Sequence, residues 1–239
     1  MERLISKNEI KRIKSLSQKK FRDELGLFAV EGEKMVEEAL ASGFEVEAVY
    51  RTSEIGEEAM GRISALSSPS PALAVVKIPA ASGAPVPDKD ELLLALDSLR
   101  DPGNVGTIIR LADWFGIRTV LASPDTVDIY NPKVVQATMG AIFRVRFIYC
   151  DLPSTLSGFR AAGVPLYGTF LDGENIYGAA LSKGGVVVMG SESNGVGPAV
   201  ASLVDRRLYI PPYPASGTGS ESLNVAIATA ITCSEFRRR

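Results

Sequence analysis

A continuous apolar run at residues 92–96 leads into a polar turn and then into an amphipathic segment. A run without apolar and polar alternation is typical of a strand covered on both faces, as in a parallel sheet flanked by helices. The turn, Asp101-Pro-Gly-Asn-Val-Gly106, would follow that strand and precede a helix N-terminus. This order predicts an open α/β sheet with a site for a polar ligand at its carboxyl edge.

Strand and helix patterns alternate along the whole chain, with one interruption at residues 81–90. That segment has the Pro, Gly, Ser and Ala content of a linker. The sequence therefore predicts a small α/β domain at 1–80, a linker at 81–90 and a larger α/β domain at 91–239. Strands are expected at residues 27–30, 46–50, 72–78, 92–96, 119–121, 145–149, 165–170, 186–189 and 207–210.

The 239 residues contain no histidine and only two cysteines. The lack of histidine excludes Ser-His-Asp triads and histidine-ligated metals. Cys150 and Cys233 are far apart, so neither a disulfide framework nor a cysteine zinc site is expected, and no metal is predicted. No apolar run approaches the length of a membrane span, and the N-terminus lacks the apolar core of a secretory signal. A cytoplasmic protein is expected.

Basic residues are concentrated near the two ends of a chain whose net charge is −2. Such clusters could bind RNA, but they are also typical of solvated helix faces and a frayed tail, and both interpretations stay open. The residues are Lys7, Lys11, Arg12, Lys14, Lys19, Lys20, Arg22 and 237–239.

Helical periodicity after the first turn separates an apolar face from Arg110. The face comprises Val105, Ile108, Ile109, Ala112 and Phe115. Arg110 points almost oppositely, so it is expected to meet solvent, a phosphate or a neighbouring subunit. Asn104 is well placed to cap a helix that begins near Val105.

Two further loops follow predicted strands. Residues 187–197 run from a buried strand into a Gly- and Ser-rich turn, which only weakly indicates a nucleotide-like ligand. After Ile210 a Pro- and Gly-rich loop leads to a helix expected to start near Ser222, with Thr218 and Glu221 as a capping box. This last helix is apolar almost all round, which predicts a central core helix or a subunit interface.

Together these three blocks resemble the signature of the SpoU, or TrmH, family of RNA ribose methyltransferases in the SPOUT superfamily. The first block is Asp97-x-x-x-Asp-Pro-x-Asn-x-Gly with Arg110, and the second is Met189-Gly-Ser-Glu-x-x-Gly. The third is Ile210-Pro followed by Ser222-Leu-Asn224. Glu31-Gly32 in the N-terminal part is similar to the substrate-binding domain of the family.

The resemblance implies a C-terminal SPOUT-type α/β domain with a parallel sheet and a deep trefoil knot, preceded by a small L30e-like α/β domain. It also implies S-adenosylmethionine as cofactor, RNA as substrate and a homodimer with the site at the interface. The expected reaction is methyl transfer to a ribose 2′-hydroxyl. The separate N-terminal domain favours ribosomal RNA over tRNA, while a tRNA enzyme or a catalytically silent RNA-binding homologue stays open.

Matching motif positions assigns roles to ten residues. The catalytic or substrate-organising set is Arg110, Asn104, Glu192, Ser222 and Asn224. The cofactor contacts are Gly190, Ile210, Leu223, Thr169 and Gly168. Residues 212–221 make a loop about four residues longer than the usual family spacing, which affects the expected cofactor contacts there.

Arg110 is the residue expected to act closest to the reacting hydroxyl. A free guanidinium stays protonated far above neutral pH, so a phosphate clamp that relays the proton is favoured over a general base. A base role would require a site that lowers the pKa of the guanidinium. A dinucleotide-dependent oxidoreductase is disfavoured because no Gly-x-Gly-x-x-Gly fingerprint is present, and Cys233 lacks an activating environment for adduct chemistry.

Overall fold

The computed structural model describes residues 5–81, 83–213 and 221–238. Helices and strands alternate through the N-terminal third. They are α1 (Lys7–Ser15), α2 (Lys19–Leu25), β1 (Leu27–Glu31), α3 (Glu33–Ala41), β2 (Val46–Arg51), α4 (Thr52–Ile55), α5 (Glu57–Ile63) and β3 (Ala72–Lys77).

The rest of the chain repeats the alternation with longer helices. Its elements are β4 (Leu92–Asp97), α6 (Pro102–Trp114), β5 (Thr119–Ala122), α7 (Pro132–Thr138), a 3-10 turn (Ala141–Phe143), β6 (Arg146–Tyr149), α8 (Leu152–Ala161), β7 (Leu166–Asn175), β8 (Gly185–Gly190), α9 (Pro198–Ala201), β9 (Arg206–Tyr209) and α10 (Val225–Arg237). None of the helices in the described ranges has the length and apolarity needed to cross a membrane.

The first compact unit contains an antiparallel sheet in the order β1-β3-β2. Its core joins Ile10 and Ile13 of α1 and Met60 of α5 to Leu73 and Val75 of β3. Helical spacing of the apolar residues on α1 explains why one face is buried while its lysines stay outside.

Residues 128–144 pack with this first unit, although the sequence prediction placed them in the domain at 91–239. Arg22 is only 2% exposed. Its Nη2 donates to Asp128 Oδ2 over 2.6 Å and its Nη1 to the Leu16 carbonyl over 2.8 Å. The Phe28 and Tyr130 rings lie 4.6 Å apart between centroids. Arg22 is therefore a core residue, and because it is buried against Asp128 neither RNA binding nor a solvated helix face describes it.

The second unit is built on six strands in the order β6-β5-β4-β8-β7-β9, all of whose pairs are parallel. Every residue of β4 is buried, as its continuous apolar character predicts. The predicted α/β class and parallel sheet are confirmed, and the trefoil knot stays a prediction. Strand β7 extends to Asn175, further than its apolar part indicates.

Two helices of this unit, α6 and α10, lie against each other. Arg237 near the end of α10 donates from Nε to the Phe115 carbonyl at the end of α6, over 2.8 Å. Arg238 is held by the Glu235 carboxylate at 2.6 Å. These contacts show that the basic pair at 237–238 is engaged within the fold, because it neutralises a helix C-terminus and a carboxylate.

The predicted linker also contacts the second unit. Pro87 is buried, and Ala84 packs on the core cluster around Leu93 and Val186. Gly184 has no room for a Cβ because the Lys89 carbonyl and the Glu91 amide occupy that space. Residues 83–90 therefore follow the surface of the second unit, whereas their composition alone indicates a flexible connection.

Candidate active site

Helix α6 begins three residues earlier than the sequence predicts. Pro102 occupies its first turn, and the Asp101 carboxylate caps the helix by accepting from the Asn104 backbone nitrogen over 2.7 Å. Asn104 is therefore not the cap, and that prediction is wrong because the preceding aspartate fills the position. Its side chain is left for other contacts.

The Asn104 side chain connects the three motif blocks. Its Nδ2 donates to Glu192 Oε1, in the loop after β8. Its Oδ1 accepts from Asn224 Nδ2 over 2.9 Å, just before α10. One amide thus brings together residues from all three blocks, although they are separated by 88 and 120 positions in the sequence.

Asn224 also defines where α10 starts. Its Oδ1 accepts from the backbone nitrogens of Ala226 at 3.0 Å and Ile227 at 3.3 Å. The predicted start near Ser222 with a Thr218–Glu221 capping box is wrong, because Asn224 is the cap and Glu221 precedes the helix. Thr218 lies outside the described residues.

Arg110 lies on the exposed side of α6, as the helical faces predict. Its guanidinium has no hydrogen bond or ion pair within the described ranges, and Trp114 one turn later is 84% exposed. Gly106, one turn before Arg110 on α6, is buried. Ser222 is exposed, and no contact in the described part of the chain joins its side chain to Arg110 or Asn104.

Two of the predicted cofactor residues lie at the carboxyl ends of strands, and a third lies on the strand between them. Thr169 is on β7, Gly190 ends β8 and Ile210 follows β9. The Thr169 hydroxyl contacts Met189 Sδ at 3.7 Å, which places it beside the end of β8. Leu223 is 48% exposed, immediately before the Asn224 cap. This edge is where open α/β sheets bind ligands.

Two glycines of the predicted cofactor set have structural reasons to lack a side chain. A Cβ on Gly190 would collide with the backbone of Gly195 and Val196, because residues 191–195 fold back over it. A Cβ on Gly168 would lie 2.6 Å from the Phe170 ring. Gly168 is also buried within β7, so its glycine serves packing in this structure.

Asp97 is an organising residue that the motif contained but residue patterns alone did not single out. It ends β4, opposite Gly190 in the strand register, and is 8% exposed. Its Oδ2 accepts from the Gly197 backbone nitrogen over 2.7 Å. This bond ties the loop after β8 to the strand that leads into the first motif, and a buried carboxylate requires such a donor.

The turn after Asp97 is fixed by a second set of polar contacts. Ser98 adopts a left-handed φ of 61°, and its backbone nitrogen donates to Ser123 Oγ over 2.8 Å. Hydrogen bonds from Ser123 and Ser98 hold the pKa of Asp125 below its usual value. A non-glycine residue with this φ is strained, so the network holds a conformation that would otherwise be unfavourable.

Neither a thiolate nor a metal cluster is found at this edge. Burial raises the pKa of Cys233 to about 12, so its thiol stays protonated. Across residues 5–81, 83–213 and 221–238 no group of three or more potential metal-ligating side chains occurs.

Comparison with known proteins identifies the same regions. The SpoU rRNA Methylase family matches residues 91–234, and an MRM3-like substrate binding domain matches residues 7–77. The 23S rRNA (guanosine(2553)-2′-O)-methyltransferase RlmP of Bacillus subtilis is 32% identical, covering 97% of this chain and 97% of that protein.

Solved structures also match over essentially the whole length. An RNA methyltransferase of the TrmH family from Porphyromonas gingivalis has a TM-score of 0.89 and 42% identity, covering 99% of both chains. An AdoMet-bound rRNA methyltransferase from Sinorhizobium meliloti has a TM-score of 0.88 and 31% identity, covering 100% of this chain and 97% of that one. The expected family is thereby confirmed, and the chain belongs to the SpoU family of RNA methyltransferases.

Proposed function

We propose that this chain transfers the methyl group of S-adenosylmethionine to a ribose 2′-hydroxyl in ribosomal RNA. The similarity to RlmP and to the AdoMet-bound structure confirms the predicted enzyme class and cofactor. The structural observation that carries the proposal is the junction of Asn104, Glu192 and Asn224, because it joins all three blocks at one edge of the sheet.

The residues at this edge fit S-adenosylmethionine. Gly190 and Ile210 lie at the ends of two strands, Thr169 lies on the strand between them, and Leu223 adds an exposed apolar side chain. Apolar walls with a few converging polar groups are typical of small-molecule sites. We assign these four residues to the cofactor, which supplies the methyl group and its leaving group when bound. Gly168 would support them from within β7.

The remaining site residues would act on the RNA. Arg110 is exposed and has no partner in the described ranges, so it can bind the phosphate next to the target ribose with paired N–H donors. Asn104 and Asn224 would orient the ribose, and Glu192 would accept from an RNA or cofactor donor. Ser222 would join this set when RNA is bound. Positioning for in-line transfer and removal of the hydroxyl proton are the tasks these residues share.

A homodimer is part of this proposal. Trp114 on α6 and Ile227 on α10 are 84% and 53% exposed, and the two helices are neighbours. Large apolar side chains exposed together mark interaction surfaces. Arg110 lies one turn before Trp114, so a second subunit seated here would border the arginine. Sedimentation of wild type and Trp114→Glu tests this arrangement, with a monomeric variant expected. A variant that stays dimeric would contradict it.

The test of the function is methyl transfer to ribosomal RNA, which we expect to take place in the cytoplasm. Purified protein is incubated with methyl-labelled S-adenosylmethionine and either unmodified ribosomal RNA or tRNA, and the labelled nucleotide is mapped. Label on a ribose in ribosomal RNA is the expected result. Label only in tRNA would show that the substrate is tRNA. No label in either RNA, with the cofactor bound, would favour a silent RNA-binding homologue.

A further inference from the structure

A cleft of about 630 Å³ lies within the first compact unit. Its walls are α1, the end of β1, the segment after α5, and α7. The floor is aliphatic and includes Ile13, Ile63 and Val135. A volume of this size with an apolar lining is in the range of sites that bind small molecules or parts of larger ones.

Two lysines from different helices border the cleft. Lys14 is on α1 and Lys133 is in the first turn of α7, and both are exposed. Lys7 and Lys11 precede Lys14 at helical spacing, so the three share one stripe of α1. Within the described ranges no carboxylate pairs with any of these four lysines, whereas Arg12 on another side of α1 pairs with Glu47 at 2.7 Å. Lys14 and Lys133 therefore bring two positive charges without an ion-pair partner to the edge of the cleft.

The single carboxylate lining the cleft is already engaged. Glu31 is 7% exposed, and it accepts hydrogen bonds from Ser64 Oγ and from the Ala65 backbone nitrogen, the latter over 2.7 Å. It fixes the segment after α5 as a wall of the cleft. Among the described residues it makes no ion pair with Lys14 or Lys133.

We propose that this cleft binds an unpaired segment of the RNA substrate, with a base on the aliphatic floor and adjacent phosphates on Lys14 and Lys133. The inference rests on the proposed function for its RNA substrate. Cationic rims track nucleic-acid backbones, and unstacked bases of single-stranded RNA are the parts that enter protein pockets. The matched substrate-binding domain ends at residue 77, so α7 is a wall of this site supplied by the SpoU part of the chain.

The test uses the full chain and a short, unstructured, fluorescein-labelled oligouridylate, with binding followed by anisotropy over a range of salt. Lys14→Ala with Lys133→Ala should weaken binding at least about tenfold and reduce the salt slope by about 1.4, since each phosphate contact to a single strand contributes about 0.7. Lys20→Ala with Lys34→Ala removes the same charge from exposed positions of the same unit outside the cleft. This matched variant should bind like wild type.

A second variant tests the floor of the cleft without changing charge. Ala137→Trp places a large ring in the space lined by α7, and it should weaken binding while leaving the salt slope unchanged. A 4-thiouridine oligonucleotide should cross-link to peptides containing Lys14 or residues 132–137. Thermal unfolding of each variant identifies any that fail to fold. The cross-link on the wild-type protein tests whether the oligonucleotide lies in the cleft even if a variant does not fold.

The outcomes separate this inference from the proposed function. Wild-type binding without a cleft cross-link, or wild-type affinity in both cleft variants, overturns the inference and leaves the cleft to a protein partner. No binding of the oligonucleotide by wild type overturns it as well. If the cleft variants bind weakly but wild type methylates no RNA, the inference stands and the proposed function fails.

Discussion

The side-chain nitrogen of Asn224 donates to Asn104 Oδ1 over 2.9 Å, while Asn224 Oδ1 accepts from the backbone nitrogen of Ala226 at 3.0 Å. One amide therefore starts α10 and also connects it to α6. Its side-chain oxygen caps α10, and its side-chain nitrogen contacts Asn104 in the site. These two contributions use different atoms, so substitutions can separate them.

Asn224→Asp keeps an oxygen for the cap but has no N–H to give Asn104. We expect this variant to unfold at nearly the wild-type denaturant concentration and to lose most methyl transfer. Asn224→Ala loses both contributions and should also cost about 1 kcal/mol of unfolding free energy, as lost caps do. Urea titration and a labelled-methyl assay measure the two effects. Wild-type turnover by Asn224→Asp would contradict the role given to the Asn104 contact.

Arg110→Ala should abolish methyl transfer while changing cofactor affinity far less, because the side chain is exposed and is assigned to RNA. Arg110→Lys keeps the charge but loses the paired donors that suit a phosphate, so we expect it to recover only a small part of the activity. Turnover and calorimetric binding of S-adenosylmethionine are compared. Full turnover by Arg110→Ala would show that Arg110 does not take part in methyl transfer.

Asp97→Ala should raise the KM for S-adenosylmethionine by about tenfold or more. The substitution leaves the Gly197 N–H without its acceptor, at a cost of about 1–3 kcal/mol, and releases the loop that covers Gly190. Asp97→Asn still offers an oxygen to that N–H and serves as the control, with a smaller increase. Equal KM values for wild type and Asp97→Ala would show that this bond does not position the loop.

Arg22→Ala should lower the free energy of unfolding by about 3–5 kcal/mol, because it leaves the largely buried Asp128 carboxylate without its charged partner. The matched substitution Lys19→Ala breaks the exposed pair with Asp23, where about 1 kcal/mol or less is expected. Denaturant unfolding of both variants gives the comparison. Similar losses of unfolding free energy in the two variants would mean that the burial of Arg22 does not strengthen its ion pair.

The buried thiol of Cys233 predicts how the stability of the fold changes at alkaline pH. Its pKa is raised from 9.0 to about 12 by burial, so the unfolded chain loses this proton first as pH rises. Below pH 9 this thiol therefore has no effect on how the free energy of unfolding changes with pH. Between about pH 9 and 12 it lowers the free energy of unfolding by up to about 1.4 kcal/mol per pH unit. Cys233→Ala should reduce the slope of stability against pH there and keep methyl transfer. An unchanged slope would contradict the buried thiol as its source.

Several features of the fold follow directly from residue patterns. The unbroken apolar character of β4 predicts burial on both faces, and all its residues are buried. The helical faces of α6 predict an exposed Arg110, which the structure confirms. Residue patterns do not fix the start of α6, because Asp101 and Asn104 are both residue types that cap helices. Proline at 102 favours the aspartate, since proline suits the first turn of a helix.

Other features depend on partners that residue patterns do not reveal. Arg22 has the sequence surroundings of a solvated basic helix, and only its contact with Asp128, 106 positions later, makes it a core residue. The packing of residues 128–144 with the first unit is likewise a tertiary preference. Most of the predicted longer loop at 212–221 lies outside the described residues, so its cofactor contacts stay a prediction.

The pairing of α6 with α10 has a consequence during protein synthesis. Asn224 contacts the beginning of α6 across 120 positions, and Arg237 contacts its end across 122. Contacts of such sequence separation form late in folding. A ribosome must therefore translate α10 before either end of α6 gains these partners. While the nascent chain is still incomplete, the helix that carries Arg110 is made but the methyl-transfer site is not assembled.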